Sequence, residues 1–206
     1  MKVLLVNGSP HKKGCTYTAL LEIAKVLENE GIDSEIVYAG GTKGGCMGCG
    51  YCVQNGKCVN SEDAVNDTIA RLDEFDGFIF GTPVHYASAS GAITSFLDRL
   101  FYAGGKKMHY KPGAVVASAR RAGTTASLDQ ISKYFTISNM PIVSSSYWAM
   151  VHGNIPDEVS RDEEGMRTMR MLGHNMAWLL RCIEEGKKSG IDIPAPEPAV
   201  KKNFIR

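Results

Sequence analysis

Lys2-Val3-Leu4-Leu5-Val6-Asn7-Gly8-Ser9-Pro10-His11-Lys12-Lys13-Gly14-Cys15-Thr16-Tyr17-Thr18 opens the chain, and its reading decides the rest. Lys2 to Asn7 is a short apolar run that stops at Gly8-Ser9-Pro10, the pattern of a buried strand ending in a turn. From Tyr17 to Glu30, Leu20, Leu21, Ala24 and Leu27 recur at helical spacing, with Gly31 as the stop signal. The strand–loop–helix unit then repeats. Ser34 to Tyr38 predicts a second strand, Gly77 to Gly81 a third that ends in Thr82-Pro83, Ala114 to Ala119 a fourth, and Ile142 to Ser145 a fifth. Helices are predicted from Ser61, with Glu62 and Asp63 at its positive end, from Gly91 to Phe101, from Ser127 to Ile137 and from Asp162 to Lys187. The strands are apolar throughout and do not alternate, as in a parallel sheet covered on both faces. One doubly wound α/β domain over residues 1–190 is expected, with a Gly- and Cys-rich loop at 40–60. The stretch Pro194-Ala195-Pro196-Glu197-Pro198 excludes helix and makes 191–206 an extended arm.

Length and charge bound the function. The 206 residues suit a single domain with a full core, and 23 basic against 22 acidic side chains leave a formal charge of +1. That balance supplies no field for nucleic acid or an anionic membrane surface. The first apolar run is far too short for a signal peptide and no later one reaches a membrane-spanning length, so a cytoplasmic location is expected. In a reducing compartment the six cysteines, Cys15, Cys46, Cys49, Cys52, Cys58 and Cys182, point to metal or redox chemistry rather than a disulfide framework.

In a doubly wound sheet the strand carboxyl ends share one edge, where ligands bind. Three loops on that edge carry suitable groups. Gly8 to Thr18 offers the hydroxyls of Ser9, Thr16 and Thr18 beside the free N–H groups of a helix start, which suits a phosphate dianion. An ordinary Gly/Ser turn with a helix cap would read the same way. Thr82-Pro83-Val84-His85-Tyr86-Ala87-Ser88 puts an aromatic pair after a buried strand, fit to flank a flat heterocycle or to pack on the next helix. Ser118-Ala119-Arg120-Arg121-Ala122-Gly123 brings two arginines that suit a pyrimidine carbonyl, a substrate phosphate, or simply water.

Cys46, Cys49, Cys52 and Cys58 form a C-x2-C-x2-C-x5-C run, the most specific signal in the chain. Consecutive two-residue gaps let three thiolates face one side of an iron–sulfur cubane while the fourth closes from the other side. Zinc sites more often use two knuckles further apart. Gly44, Gly45, Gly48, Gly50 and Gly56 supply the tight turns of such a wrap. A structural zinc or a thiol loop without metal remain the rival readings.

The opening loop, the Thr82–Tyr86 segment and the helix Ala92-Ile93-Thr94-Ser95-Phe96-Leu97-Asp98-Arg99 resemble the flavodoxin-like NAD(P)H-dependent FMN reductases. The four-cysteine run narrows the resemblance to their iron–sulfur flavoprotein branch, over roughly residues 1–190. The resemblance implies a flavodoxin-like sheet in the order 2-1-3-4-5. It implies FMN with its phosphate at Ser9, His11, Thr16, Tyr17 and Thr18. The isoalloxazine would lie against Pro83, Val84, His85 and Tyr86, its far edge near Ser118, Arg120, Arg121 and Gly123. It further implies a [4Fe–4S] cluster on Cys46, Cys49, Cys52 and Cys58, NAD(P)H as cosubstrate, and small-molecule or ferredoxin partners. Many relatives carry Asn where Cys15 stands, which puts a contact from that position in doubt. The expected activity is an FMN-dependent oxidoreductase. A flavodoxin-like electron carrier without a substrate site, and a zinc-stabilised binding module, are the alternatives from other classes.

The remaining features read as packing. Met166, Met169, Leu172, Met176, Leu179 and Ile183 lie at helical spacing and belong to a core or subunit interface, with Cys182 buried beside them. Trp148 suits a core, an interface or a flavin shield. His109, His152 and His174 show no partner in sequence, and Arg161 to Glu164 read as a solvated helix start. The Met-rich last helix and the arm ending Asn203-Phe204-Ile205-Arg206 offer more apolar surface than one domain needs. A homodimer or homotetramer is therefore expected in sedimentation, and a monomer would overturn that expectation.

Overall fold

Alternate side chains of each central strand enter opposite cores, which is why the strands are apolar without a break. The computed structural model describes residues 1–195, 197 and 198. Strand β1 (Lys2–Asn7) lies between β2 (Asp33–Tyr38) and β3 (Gly77–His85), with Asn7 opposite Tyr38 on one side and Gly81 on the other. β3 turns back at Tyr86-Ala87 into β4 (Ser88–Ala89), a two-residue antiparallel strand. β5 (Gly113–Ala119) pairs with β3, and β6 (Met150–His152) with β5. The sheet order is β2-β1-β3-β5-β6 with β4 off the path. The five parallel strands, counted along the chain, thus stand in the expected order 2-1-3-4-5.

On one face, Leu4, Val6, Phe78, Phe80, Val115 and Ala117 pack under α3 (Val65–Ala70), α4 (Gly91–Gly104) and α5 (Thr124–Ile137). On the other, Val3, Leu5, Ile79, Ala114 and Val116 pack under α1 (Cys15–Asn29) and α7 (Glu163–Lys188). Met166, Met169, Leu172 and Met176 are buried in this second core. Two short helices, α2 (Tyr51–Asn55) within the Cys-rich loop and α6 (Pro156–Ser160), complete the set.

Four local expectations change. The fifth strand is not Ile142–Ser145. Pro141 and Val143 hold only the start of β5, through Gly113 N to Pro141 O and Val143 N to Gly113 O. The chain then departs at three consecutive serines and returns as a strand at Met150, opposite Ala117. The helix expected from Ser61 begins at Val65, because the Asp63 carboxylate accepts from Val65 N at 3.2 Å and ends the preceding bend. In α1 the buried stripe runs through Ala19, Leu20, Ile23 and Leu27, leaving Leu21 and Ala24 half-buried. Cys182 is exposed on the outer side of α7. Residues 191–195, 197 and 198 form no helix or strand, and the apolar end of the arm at Asn203–Arg206 lies outside the described residues.

At the amino-terminal end of the sheet, Arg71 grips Glu35 with both nitrogens, at 2.7 and 2.6 Å, while Lys2 approaches the same carboxylate at 3.2 Å. The Arg71 bonds, with Lys2 assisting against partial burial, pull the Glu35 carboxyl down to about 2. A depressed carboxyl stabilises the fold above its ordinary range and ceases to do so as pH falls toward its folded value. The Glu35→Gln variant should therefore melt below the wild type at neutral pH. The gap should close as pH falls from about 4.5 toward 2, as thermal melts across that range will show.

Candidate functional site

Asn7 ends β1 as a buried polar side chain and shapes the first loop. Its Oδ1 accepts from Ser9 N at 3.0 Å and its Nδ2 donates to Lys12 O at 3.1 Å. Ser9, itself buried, accepts from His11 N at 3.2 Å. Gly14 then caps α1 with no side-chain partner, so the first-turn amides of Cys15, Thr16 and Tyr17 have no intrahelical acceptor and crown the loop. The Thr18 hydroxyl donates back to Gly14 O at 3.2 Å. Thr16 is fully buried and shares a hydrogen bond of 2.8 Å with Ser118 Oγ, which joins the first loop to the third. His11 stands exposed at the rim.

The second loop is a strained hairpin tip. Pro83 and Val84 are half-buried at the end of β3, while His85 and Tyr86 are exposed. Tyr86 takes φ 61, a left-handed conformation costing a bulky residue about 1–3 kcal/mol, and the pairs Val84–Ala89 and His85–Ser88 hold it there. The result is an aromatic ring presented to solvent beside the sheet edge. Gly123, at φ 92, brings the third loop against this one, since a Cβ there would stand 2.7 Å from Val84 Cγ1. Ser118 is buried opposite Pro83 in the β3–β5 register, and Arg120 and Arg121 are exposed past the end of β5. The predicted residues of all three loops therefore meet along one edge.

The Cys-rich loop leaves β2 on that same edge. Tyr38 OH donates to Pro10 O at 2.9 Å, and a Cβ on Gly40 would fall 1.8 Å from Ser9 O, so the loop starts in backbone contact with the first loop. It then crosses to α4. Cys46, Cys49, Cys52 and Cys58 all line one cavity of about 340 Å³, with buried Arg99 of α4 on its inner side and exposed Tyr102 on its rim. Cys46 and Cys49 are exposed, and Cys52 and Cys58 half-buried. Among the described residues no three His, Cys, Asp or Glu side chains converge to hold a single metal ion. The cavity brings four soft thiol donors to one lining, the donor type that binds iron–sulfur clusters and zinc.

Several residues that hold this site were not singled out from the sequence. Arg99 is almost fully buried, with Nε 3.1 Å from Cys58 Sγ, Nη1 2.5 Å from Asp63 Oδ2 and Nη2 2.7 Å from Asn60 O. Burial pulls the guanidinium down, but the bonds to Asp63 and Cys58 outweigh it and hold the group above its ordinary value as a permanent cation. Ser90 donates to Gly8 O at 2.7 Å and accepts from Ile93 N, while its amide donates to Thr82 Oγ1 at 3.0 Å. The available signals were a charged residue inside the apolar stripe of α4 and a lone Ser before it. Asp162, read as part of a solvated helix start, caps α7 through Gly165 N and also accepts from His152 N at 2.6 Å. Trp148 is 60% exposed, stacked edge-on against Tyr147 at the mouth of a cavity of about 290 Å³ next to β6. The Cys15 thiol reaches Gly153 O at 3.7 Å, and burial pushes its pKa up. No helix among the described residues is long and apolar enough to cross a membrane.

Comparison with known proteins shows the family and the fold. Residues 1–154 match the family of NADPH-dependent FMN reductases. An iron–sulfur flavoprotein of Methanocaldococcus jannaschii is 29% identical over 194 residues, covering 90% of this chain and all of that protein. One from Archaeoglobus fulgidus is 30% identical over 182 residues, covering 86% of this chain and 79% of its own length. Among solved structures, RosB with bound 8-demethyl-8-formylriboflavin-5'-phosphate superposes with a TM-score of 0.70 at 15% identity, over all of this chain and 94% of that one. A flavodoxin from the Archaea superposes at 0.61 with 14% identity, over 88% of this chain and 99% of that one, which shows the shared fold. The chain belongs to the NADPH-dependent FMN reductase family of flavin oxidoreductases, in its iron–sulfur flavoprotein branch.

Proposed function

We propose that this protein moves electrons from a reduced donor, a nicotinamide or a ferredoxin, to an acceptor through FMN and an adjacent [4Fe–4S] cluster. The observation that carries this reading is the meeting of three flavin-suited loops and a four-cysteine cavity on one sheet edge, bridged by backbone contact at Gly40. When bound, FMN supplies two-electron and one-electron chemistry, and the cluster one-electron transfer.

The chain's own residues would bind, orient and shield. The amides of Cys15, Thr16 and Tyr17, with the hydroxyls of Ser9, Thr16 and Thr18, would hold the flavin phosphate, and His11 and Tyr17 would flank it. Pro83, Val84, His85 and Tyr86 would meet the isoalloxazine, and the Tyr86 ring, already free of packing, would order against it without breaking a core contact. Ser118, Arg120, Arg121 and Gly123 would face its far edge, where a guanidinium can hydrogen-bond a ring carbonyl and favour added negative charge. Cys46, Cys49, Cys52 and Cys58 would hold the cluster. No side chain is required as general acid or base.

Protein purified without oxygen should contain about four iron and four acid-labile sulfide per FMN. Iron near zero with FMN retained would overturn the cluster. Adding NADPH or NADH anaerobically should bleach the flavin absorbance, whereas no bleaching by either nucleotide would leave a ferredoxin-type donor. Gly40→Ala should weaken FMN binding by tenfold or more and lower Tm by several degrees, because its Cβ must displace the Ser9 backbone. Gly41→Ala, whose Cβ would meet Tyr38 at an ordinary 3.4 Å, should change either by little.

A further inference from the structure

The four cysteines are not equally supported. Cys46 and Cys49 precede α2, Cys52 lies in its first turn and Cys58 follows it, and all four line the same cavity. Cys58 is also the one held hardest. Its N donates to Asn66 Oδ1 at 2.8 Å, its O accepts from Asn66 Nδ2 at 3.0 Å, and its sulfur receives Arg99 Nε at 3.1 Å. Among the described residues no other of the four sulfurs meets a side-chain N–H; Cys46 has only the Gly48 amide, at 3.5 Å. A neutral thiol is a weak acceptor, so a buried guanidinium aimed at one gains little; a thiolate ligand makes the same contact a charge-assisted bond.

The remaining nitrogens of Arg99 fix its direction. With side chains 1% and 4% exposed, Arg99 and Asp63 are paired at 2.5 Å, and Asp63 also accepts from the backbone of Lys43 and Val65. Helix α4 anchors this arrangement at its N-cap, where Ser90 ties it to Gly8 and Thr82 in the two loops assigned to the flavin. The nine steps from Ser90 to Arg99 span about 14 Å of helix axis. One rigid helix therefore ties the flavin loops at its start and, through Arg99, Cys58 about two and a half turns further on.

We propose that Arg99 is the positioning residue of the cluster site: it fixes Cys58 as the closing ligand and makes the cluster easier to reduce, while Asp63 opposes it. The inference rests on the cluster reading above. Reduction adds one negative charge to the site, and a fixed buried cation bonded to a ligand sulfur stabilises that added charge, as a neighbouring carboxylate resists it.

The test compares the wild type, Arg99→Gln and Asp63→Asn, all purified anaerobically with FMN. Iron and sulfide per flavin, thermal melting and the cluster's midpoint potential are measured on each. Arg99→Gln should lower the equilibrium constant for cluster reduction by about tenfold or more, a shift of about 59 mV to more negative potential. Asp63→Asn should shift it in the opposite direction. Loss of iron from Arg99→Gln with FMN and a cooperative melt retained would also support the proposal, because the closing ligand would then have been released. Should Arg99→Gln not fold, Asp63→Asn decides: a positive shift supports the proposal and an unchanged potential overturns it. Equal potentials in all three proteins, or shifts of one sign in both variants, would overturn the role of Arg99 while leaving the cluster in place. A wild type that binds FMN but no iron would overturn the cluster reading itself, and this proposal with it.

Discussion

A single buried hydroxyl at Ser90 sets the geometry on which the site depends. It donates to the Gly8 carbonyl at the end of β1 and caps the first turn of α4, while the amide of the same residue reaches Thr82 on β3. All of these groups lie out of water, so each would cost free energy if left unpaired. The two central strands and the helix between their loops are consequently fixed to one another at the edge where the ligand loops emerge. The Thr16–Ser118 bond repeats the device between the first loop and β5. The sheet would still stack without these contacts, but its loops would not share one register.

The Cys-rich loop solves a different problem. It has little apolar surface with which to pack, and its left-handed glycines at 44, 48, 50 and 56 give it turns around the one short helix α2. Its order comes from polar ties: Asn60 to Lys43, Asn66 to Cys58, and Arg99 to Asp63, Asn60 and Cys58. A buried ion pair of this kind adds little net stability, but removing one partner leaves a bare charge and costs about 3–5 kcal/mol. Such a pair fixes position rather than strengthening the fold. Here the position fixed is that of Cys58, set off from Cys52 by the longest gap in the run. The exposed Met47, Val53 and Tyr102 around the same cavity show that the loop is held from its inner side.

Much of this was legible in the residues. Unbroken apolar runs specified a parallel sheet covered on both faces, because only strands buried on two sides can dispense with alternation. The Gly–Ser–Pro turn, the Pro–Val–His–Tyr segment and the two-residue gaps between cysteines marked the candidate ligand edge through backbone chemistry that is local by nature. The fifth strand was misplaced because Ile142–Ser145 and Met150–His152 have similar propensity, and β5 chooses between them through contacts some thirty residues away. Cys182 was assigned to the core because a helical stripe read from sequence has no sharp rim.

The sequence by itself determined the elements, their order and the residue types at the binding edge, since strand period, helix period and turn chemistry are encoded within a few neighbours. Only the tertiary structure decided which polar groups meet across that edge. Asn7 with the Ser9 loop, Ser90 with Gly8 and Thr82, and Arg99 with Asp63 and Cys58 are mostly joined over long separations, up to 82 residues. A buried Arg or Ser has no periodic signature. Its partner is fixed by the packing of whole elements, and the cost of an unpaired polar group then selects the one arrangement in which each finds its bond.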